Sequence, residues 1–120
     1  MKKVYHLSTC TTCKRILKEV SPGDDFQFNE IKSSGISEEQ LEEMKTLAGS
    51  YRELFSRQAR KYREMNLHLQ ELTEKEMKKL ILSEYTFLKR PVFIINKQIF
   101  VGSKKRTLAD LTNFVRFSEK

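Results

Sequence analysis

The sequence has little cysteine: Cys10 and Cys13 are the only two in 120 residues. A zinc site built on them and completed by His6 and His68 would need a second closely spaced ligand pair, and the chain has none. No apolar run approaches the roughly 18–20 residues of a membrane helix. The start, Met1-Lys2-Lys3, shows neither the apolar h-region nor the small-residue cleavage site of a signal peptide. The expectation is a cytoplasmic protein without membrane contact. In that reducing compartment a cysteine pair is more often catalytic or redox-sensing than a structural staple. Linkers, repeats and low-complexity stretches are also missing, so residues 1–120 are expected to form one domain with a single core.

Charge is plentiful. Lysine and arginine outnumber the acids enough to give a net +7. The excess gathers at Arg52, Arg57, Arg60, Lys61 and Arg63, and again at Lys104-Lys105-Arg106. Its ordinary reading is a solvated helical face. An oxyanion or an acidic protein partner is the functional alternative. Direct nucleic-acid binding is not expected, because no groove-reading motif accompanies the charge.

The cysteines are spaced Cys10-Thr11-Thr12-Cys13, directly after the short apolar run Val4-Tyr5-His6-Leu7. From Thr11 to Val20 the pattern is helical, and Ser21-Pro22-Gly23-Asp24 supplies turn chemistry to end it. Two thiols there stand at a helix N-terminus, where unpaired N–H groups and the helix dipole favour a thiolate. The cations Lys14 and Arg15 act in the same direction. A Cys-x-x-Cys at a strand-to-helix junction reads as redox chemistry. Ser8, Thr9, Thr11 and Thr12 do not read as the apolar surroundings of a pair of inert, buried thiols. His6 is read as structural, and His68, far in sequence from any motif, is given no role.

The remaining pattern gives the architecture. Residues 3–7 read as a buried strand, and Phe26–Ile31 alternates as a strand with one buried face, so the first segment is a βαβ unit with parallel strands. A helical stretch over about 36–85 follows. Ser37 with Gln40 and Thr73 with Glu76 form capping boxes, Gly49 closes the first helix, and Leu41, Met44, Met77, Leu80 and Ile81 face a core. Tyr51 to Met65 is helix-compatible but broken in pattern. Val92–Ile95, the turn Asn96-Lys97 and Gln98–Val101 make a hairpin. After Gly102, Leu108, Leu111, Phe114 and Val115 line a last helix. The order βαβ, helical insertion, ββα is an α/β thioredoxin-like fold with an insertion between its halves. In that fold a proline opens the strand after the insertion. Pro91 stands there, and a cis Arg90–Pro91 bond is expected to lie beside the Cys10 sulfur.

Three segments carry a resemblance: Tyr5 to Lys14, the stretch from Leu54-Phe55-Ser56-Arg57 to Tyr62-Arg63-Glu64, and Leu88-Lys89-Arg90-Pro91-Val92. Together they resemble the ArsC/Spx family, the bacterial glutaredoxin-coupled arsenate reductases and their redox-sensing relatives. The resemblance implies that Cys10 is the nucleophile, Cys13 the resolving thiol and Arg90 an oxyanion ligand. The implied anion-binding set is Thr11, Thr12, Lys14, Arg57, Arg90 and Pro91. Arg57 follows Ser56, which occupies the position of the reductases' insert arginine, and Ser103-Lys104-Lys105-Arg106 replaces their arginine-proline after Gly102. Cys13 stands where the reductases usually carry serine, and the regulators of the family carry a Cys-x-x-Cys there as a disulfide switch. The resemblance further implies no bound cofactor or metal, electrons from glutathione with glutaredoxin or from thioredoxin, and for the regulators a contact with the C-terminal domain of the RNA polymerase α subunit. Gly49 falls near the glycine used at that contact.

Overall fold

The computed structural model describes residues 2–102 and 105–118. Its contacts group into two compact units, 1–34 with 90–120 and 35–89.

The first unit is built on a four-stranded sheet. Strands β1 (Lys2–His6), β2 (Gln27–Glu30), β3 (Val92–Ile95) and β4 (Gln98–Val101) lie in the order β2-β1-β3-β4. β1 pairs parallel with β2 and antiparallel with β3, which pairs antiparallel with β4. The parallel pair needs a crossover, and helix α1 (Thr11–Val20) supplies it. Every residue of β3 is buried, as a central strand requires. Helix α1 turns Cys13, Ile16 and Val20 inward at helical spacing. Ile16 and Val20 join Val4, Phe26, Phe93, Ile95 and Leu111 in one core, with Leu17, Phe100 and Leu108 at its margin. Leu108 and Leu111 belong to the last helix, Lys105–Ser118. Phe114 and Val115, expected on the same face, have side chains outside the described residues.

Alternation places Phe28 beside Phe26 on a buried face, but Phe28 is 49% exposed. β2 is an edge strand, with no strand paired on its outer side among the described residues, and the Phe28 ring rests edge-on against His6. The strand also stops at Glu30, because Ile31 opens a short helix, α2 (Ile31–Ser34).

The second unit is helical. Helix α3 (Glu38–Ala48) starts with a Ser37–Gln40 capping box and ends at Gly49 in the left-handed region, φ 100°. A five-residue helix, α4 (Arg60–Glu64), is all that forms in the broken Tyr51–Met65 stretch. Helix α5 (Glu74–Ser83) starts with a Thr73–Glu76 capping box. The Glu74 carboxylate accepts hydrogen bonds from the Tyr51 and Arg52 N–H groups at 2.7 and 3.0 Å, which fixes the loop after α3. Lys78 on α5 reaches Glu38 and Glu42 on α3, both at 3.0 Å, and the Tyr51 hydroxyl donates to Glu42. A bridge between Phe55 and Leu88, with Phe55 stacked on Phe87, closes the unit just before Arg90.

Candidate active site

The start of α1 is shaped by four residues, Leu7 to Cys10. The Cys10 N–H donates to the Leu7 carbonyl at 3.0 Å, and the Cys10 carbonyl accepts the first helical bond, from the Lys14 N–H, at 3.0 Å. Cys10 is therefore the N-cap, with extended backbone (φ −87°, ψ 116°). Serine, threonine, aspartate or asparagine usually fills that position, because a side-chain oxygen accepts from the orphan N–H two or three residues on. The Cys10 thiol makes no such capping bond. The N–H groups of the first turn are left to serve its thiolate.

The balance of forces on Cys10 favours ionisation. Partial burial opposes it. The Cys13 N–H and thiol, the Arg90 charge and the Thr12 N–H outweigh burial and hold the Cys10 thiol below its ordinary value. Cys13 behaves oppositely. It is fully buried, and desolvation pushes its thiol up to about 11, against a backbone hydrogen bond at Leu7 and the Arg90 charge. The hydrogen bond to Cys10 and the Cys10 charge push it in the same upward direction as burial. Both cysteines are free thiols. One helical turn thus holds an accessible thiol inclined to ionise and a buried one that resists.

The Arg90–Pro91 peptide bond is cis and leads into β3. The Pro91 carbonyl accepts from the Gly102 N–H at 3.0 Å, closing the open end of the hairpin. Arg90 is half-buried, and its charge acts on both thiols. Thr11 and Lys14 are exposed, and Thr12 is half-buried. Cys10, Cys13, Thr12 and Arg90 therefore come together within one unit.

Arg57 belongs to the helical unit. It is exposed and lines an open cavity of about 510 Å³ with Gln58, Ala59, Arg60, Arg63 and Glu64. Lys104 lies outside the described residues, as do the side chains of Lys105 and Arg106. Among the described residues no cluster of three or more His, Cys, Asp or Glu could hold a metal ion. None of the described helices is long and apolar enough to cross a membrane.

Two residues beside the site escape the sequence reading. Ser8 donates from its hydroxyl to a Glu30 carboxylate oxygen at 2.7 Å. The signal for them is a register: parallel pairing of His6 with Glu30 sets the end of β2 beside the loop that carries Cys10.

The model of the ArsC family matches residues 5–111, nearly the whole chain. The chain belongs to the ArsC family. The regulatory protein MgsR of Bacillus subtilis is 23% identical over 116 residues, covering 87% of this chain and 91% of that protein. The global transcriptional regulator Spx of Lactiplantibacillus plantarum is 24% identical over 101 residues, covering 82% of this chain and 76% of that protein. The solved arsenate reductase of Vibrio cholerae superposes with a TM-score of 0.74 at 18% identity, covering 93% and 95% of the two chains. At that identity the likeness establishes a shared fold. The expected α/β thioredoxin-like architecture is the observed one.

Proposed function

We propose that this ArsC-family protein is a thiol oxidoreductase of glutaredoxin type, with Cys10 as nucleophile and Cys13 as resolving thiol. The observation that carries the reading is the placement of the two thiols at the start of α1: Cys10 partly exposed at an N-cap with no capping bond, and Cys13 buried one turn further in. The Cys10 thiolate attacks one sulfur of a substrate disulfide, forming a mixed disulfide and expelling the other sulfur as a thiolate. Cys13 then attacks the Cys10 sulfur, releasing the second substrate thiolate, which takes up a proton. The substrate gains two electrons and the protein becomes the Cys10–Cys13 disulfide. Glutathione with glutaredoxin, or thioredoxin, restores both thiols.

The order of events is built into the pair. Burial, joined by the hydrogen bond and charge of Cys10, holds Cys13 protonated in the resting protein. Once Cys10 is bonded to substrate, it carries no charge, and those two contributions vanish. Cys13 becomes easier to ionise only after the first step. For an oxyanion substrate such as arsenate, Arg90, with Thr11, Thr12, Lys14 and Pro91, forms the ligand set. A cytoplasmic, reducing compartment would keep the pair as thiols between turnovers.

The test is turnover of a low-molecular-weight disulfide, and separately of arsenate, with glutathione and glutaredoxin or with thioredoxin. Cys10→Ser abolishes turnover. Cys13→Ser keeps the first step and accumulates a covalent adduct on Cys10, visible by mass spectrometry. Full activity of Cys13→Ser with no adduct would remove Cys13 from the mechanism.

A second reading is favoured by the relatives MgsR and Spx, both named as regulators. Here the Cys10–Cys13 disulfide biases a protein interface, the partner being the C-terminal domain of the RNA polymerase α subunit, with Gly49 near the contact. Retention of polymerase by the reduced protein and its loss on oxidation are expected. Equal indifference in both redox states sinks this reading.

A further inference from the structure

We propose that Glu30 and Ser8 form a tether that positions the Cys10 loop for ionisation, making Glu30 a positioning residue for the thiol chemistry. The inference rests on the reading of Cys10 as the nucleophile. Glu30 ends β2, opposite His6. From there its carboxylate holds two segments at once. One oxygen accepts from the Ser8 hydroxyl at 2.7 Å, and the other accepts from the Lys32 N–H in the first turn of α2. The loop leaving β1 is otherwise tied at Leu7, by the Cys10 N–H to Leu7 carbonyl contact and by the hydrogen bond between the Leu7 backbone and the Cys13 thiol. Ser8 and Thr9 are themselves exposed, so packing does not hold them.

Cys10 depends on this loop being in register with the helix it starts. Stabilisation of its thiolate comes from the N–H groups of Cys13 and Thr12 and from Arg90, and such hydrogen bonds weaken steeply with misalignment. A tether that fixes Ser8 fixes the approach of Cys10 to those donors.

The tether has a sign that separates it from simple electrostatics. A carboxylate near a forming thiolate repels it, so Glu30 acting only as a charge would hinder Cys10 ionisation. Removing that charge would then speed Cys10. Glu30 acting through Ser8 does the reverse: removing it slows Cys10. Ser8→Ala cuts the tether with no change of charge and leaves the Glu30–Lys32 contact in place.

The experiment is iodoacetamide alkylation of the full-length reduced protein as a function of pH, read at Cys10 by fragmentation mass spectrometry. At pH values below the wild-type midpoint, Ser8→Ala and Glu30→Ala are expected to react about threefold more slowly, with the midpoint displaced upward. Ser8→Thr, which keeps the hydroxyl, is expected to restore the wild-type profile. A Glu30→Ala protein that reacts as fast as wild type or faster overturns the tether, as does an unaltered Ser8→Ala profile. Should Glu30→Ala fail to fold, the Ser8→Ala and Ser8→Thr pair decides alone, since Ser8 is exposed. A wild-type Cys10 that alkylates like an ordinary thiol would instead overturn the underlying reading of Cys10, and the tether with it.

Discussion

The N-terminus of α1 and those of α3 and α5 solve one problem in opposite ways. Each helix begins with backbone N–H groups that have no partner within the helix. In α3 and α5, Ser37 and Thr73 accept from the third residue on, and Gln40 and Glu76 reach back to the N-cap N–H. These starts are closed. The start of α1 has Cys10 at the N-cap with no side-chain capping bond, and its first turn carries no acidic residue. Its donors are kept for a charge that forms on the Cys10 sulfur. The closed starts serve stability, and on the proposed function the open one serves chemistry.

The largest effect is expected at the open end. Replacing Arg90 by Met keeps much of the side-chain volume and removes the charge acting on both thiols. Alkylation of Cys10 at mildly acidic pH should fall about tenfold, because an opposite charge nearby favours the ionised form. Only the Cys13 and Thr12 contacts would then oppose the cost of burial. An unchanged rate would show that the helix end alone sets the acidity of Cys10.

The next effect separates the two thiols by pH. Thiolate absorbance should rise in two steps, the first below the ordinary thiol value and the second near 11. The stability consequences have opposite signs. Cys10 is more acidic in the folded chain than unfolded, so its ionisation stabilises the fold above its unfolded value, and that gain is lost as pH falls through its folded value. Cys13 is less acidic when folded. Its contribution is intact below its ordinary value of 9.0 and declines as pH rises from there toward about 11, where the unfolded chain ionises it and the folded chain does not. Cys13→Ser should flatten that alkaline loss in thermal melts. A single titration step for both thiols would contradict the asymmetry.

How far the sequence reveals these features follows from the range of the forces involved. The closed starts are fully legible, since a capping box is a pattern within four residues. The bounds of α1 are legible too, because Ser21-Pro22-Gly23 stops it: Ser21 takes the left-handed region (φ 48°) and its N–H returns to the Leu17 carbonyl at 2.9 Å. The hairpin Val92–Val101 declares itself by two short apolar runs around Asn96-Lys97. The middle of the insertion does not. Tyr51 and Leu54 are buried there because Glu74, distant in sequence, holds the loop in place. Phe28 is misread for a related reason: alternation gives a residue's parity but not whether its strand lies at the edge. The site divides in the same way. Cys10 and Cys13 are visible as a local motif, whereas Ser8 with Glu30 depends on a parallel register across 22 residues.

A smaller effect tests the closed starts. Thr73→Ala removes the acceptor of the Glu76 N–H and unhooks the capping box. The loss should be about 1 kcal/mol, which for a domain of this size lowers the melting temperature by about 4 °C. The alkylation profile of Cys10 should not move. If it does, the second unit influences the chemistry, and the division between structural and chemical helix starts is too sharp.

The smallest effect is the most direct test of why α1 starts as it does. Serine is among the best N-cap residues, and Cys10 already has the extended backbone of an N-cap. Cys10→Ser should therefore do two things at once: abolish the chemistry and stabilise the fold, by about 0.5 kcal/mol. Cys10→Ala lacks the oxygen and serves as the control, with no such gain. Both should be compared with wild type below the Cys10 midpoint, where the wild-type thiol is neutral and contributes no ionic stabilisation of its own. A stabilised, inactive Cys10→Ser would identify the missing cap as stability given up for a reactive sulfur. A Cys10→Ser protein no more stable than Cys10→Ala would mean that the first-turn N–H groups are well satisfied by water, and that the thiolate competes with solvent for them when it forms.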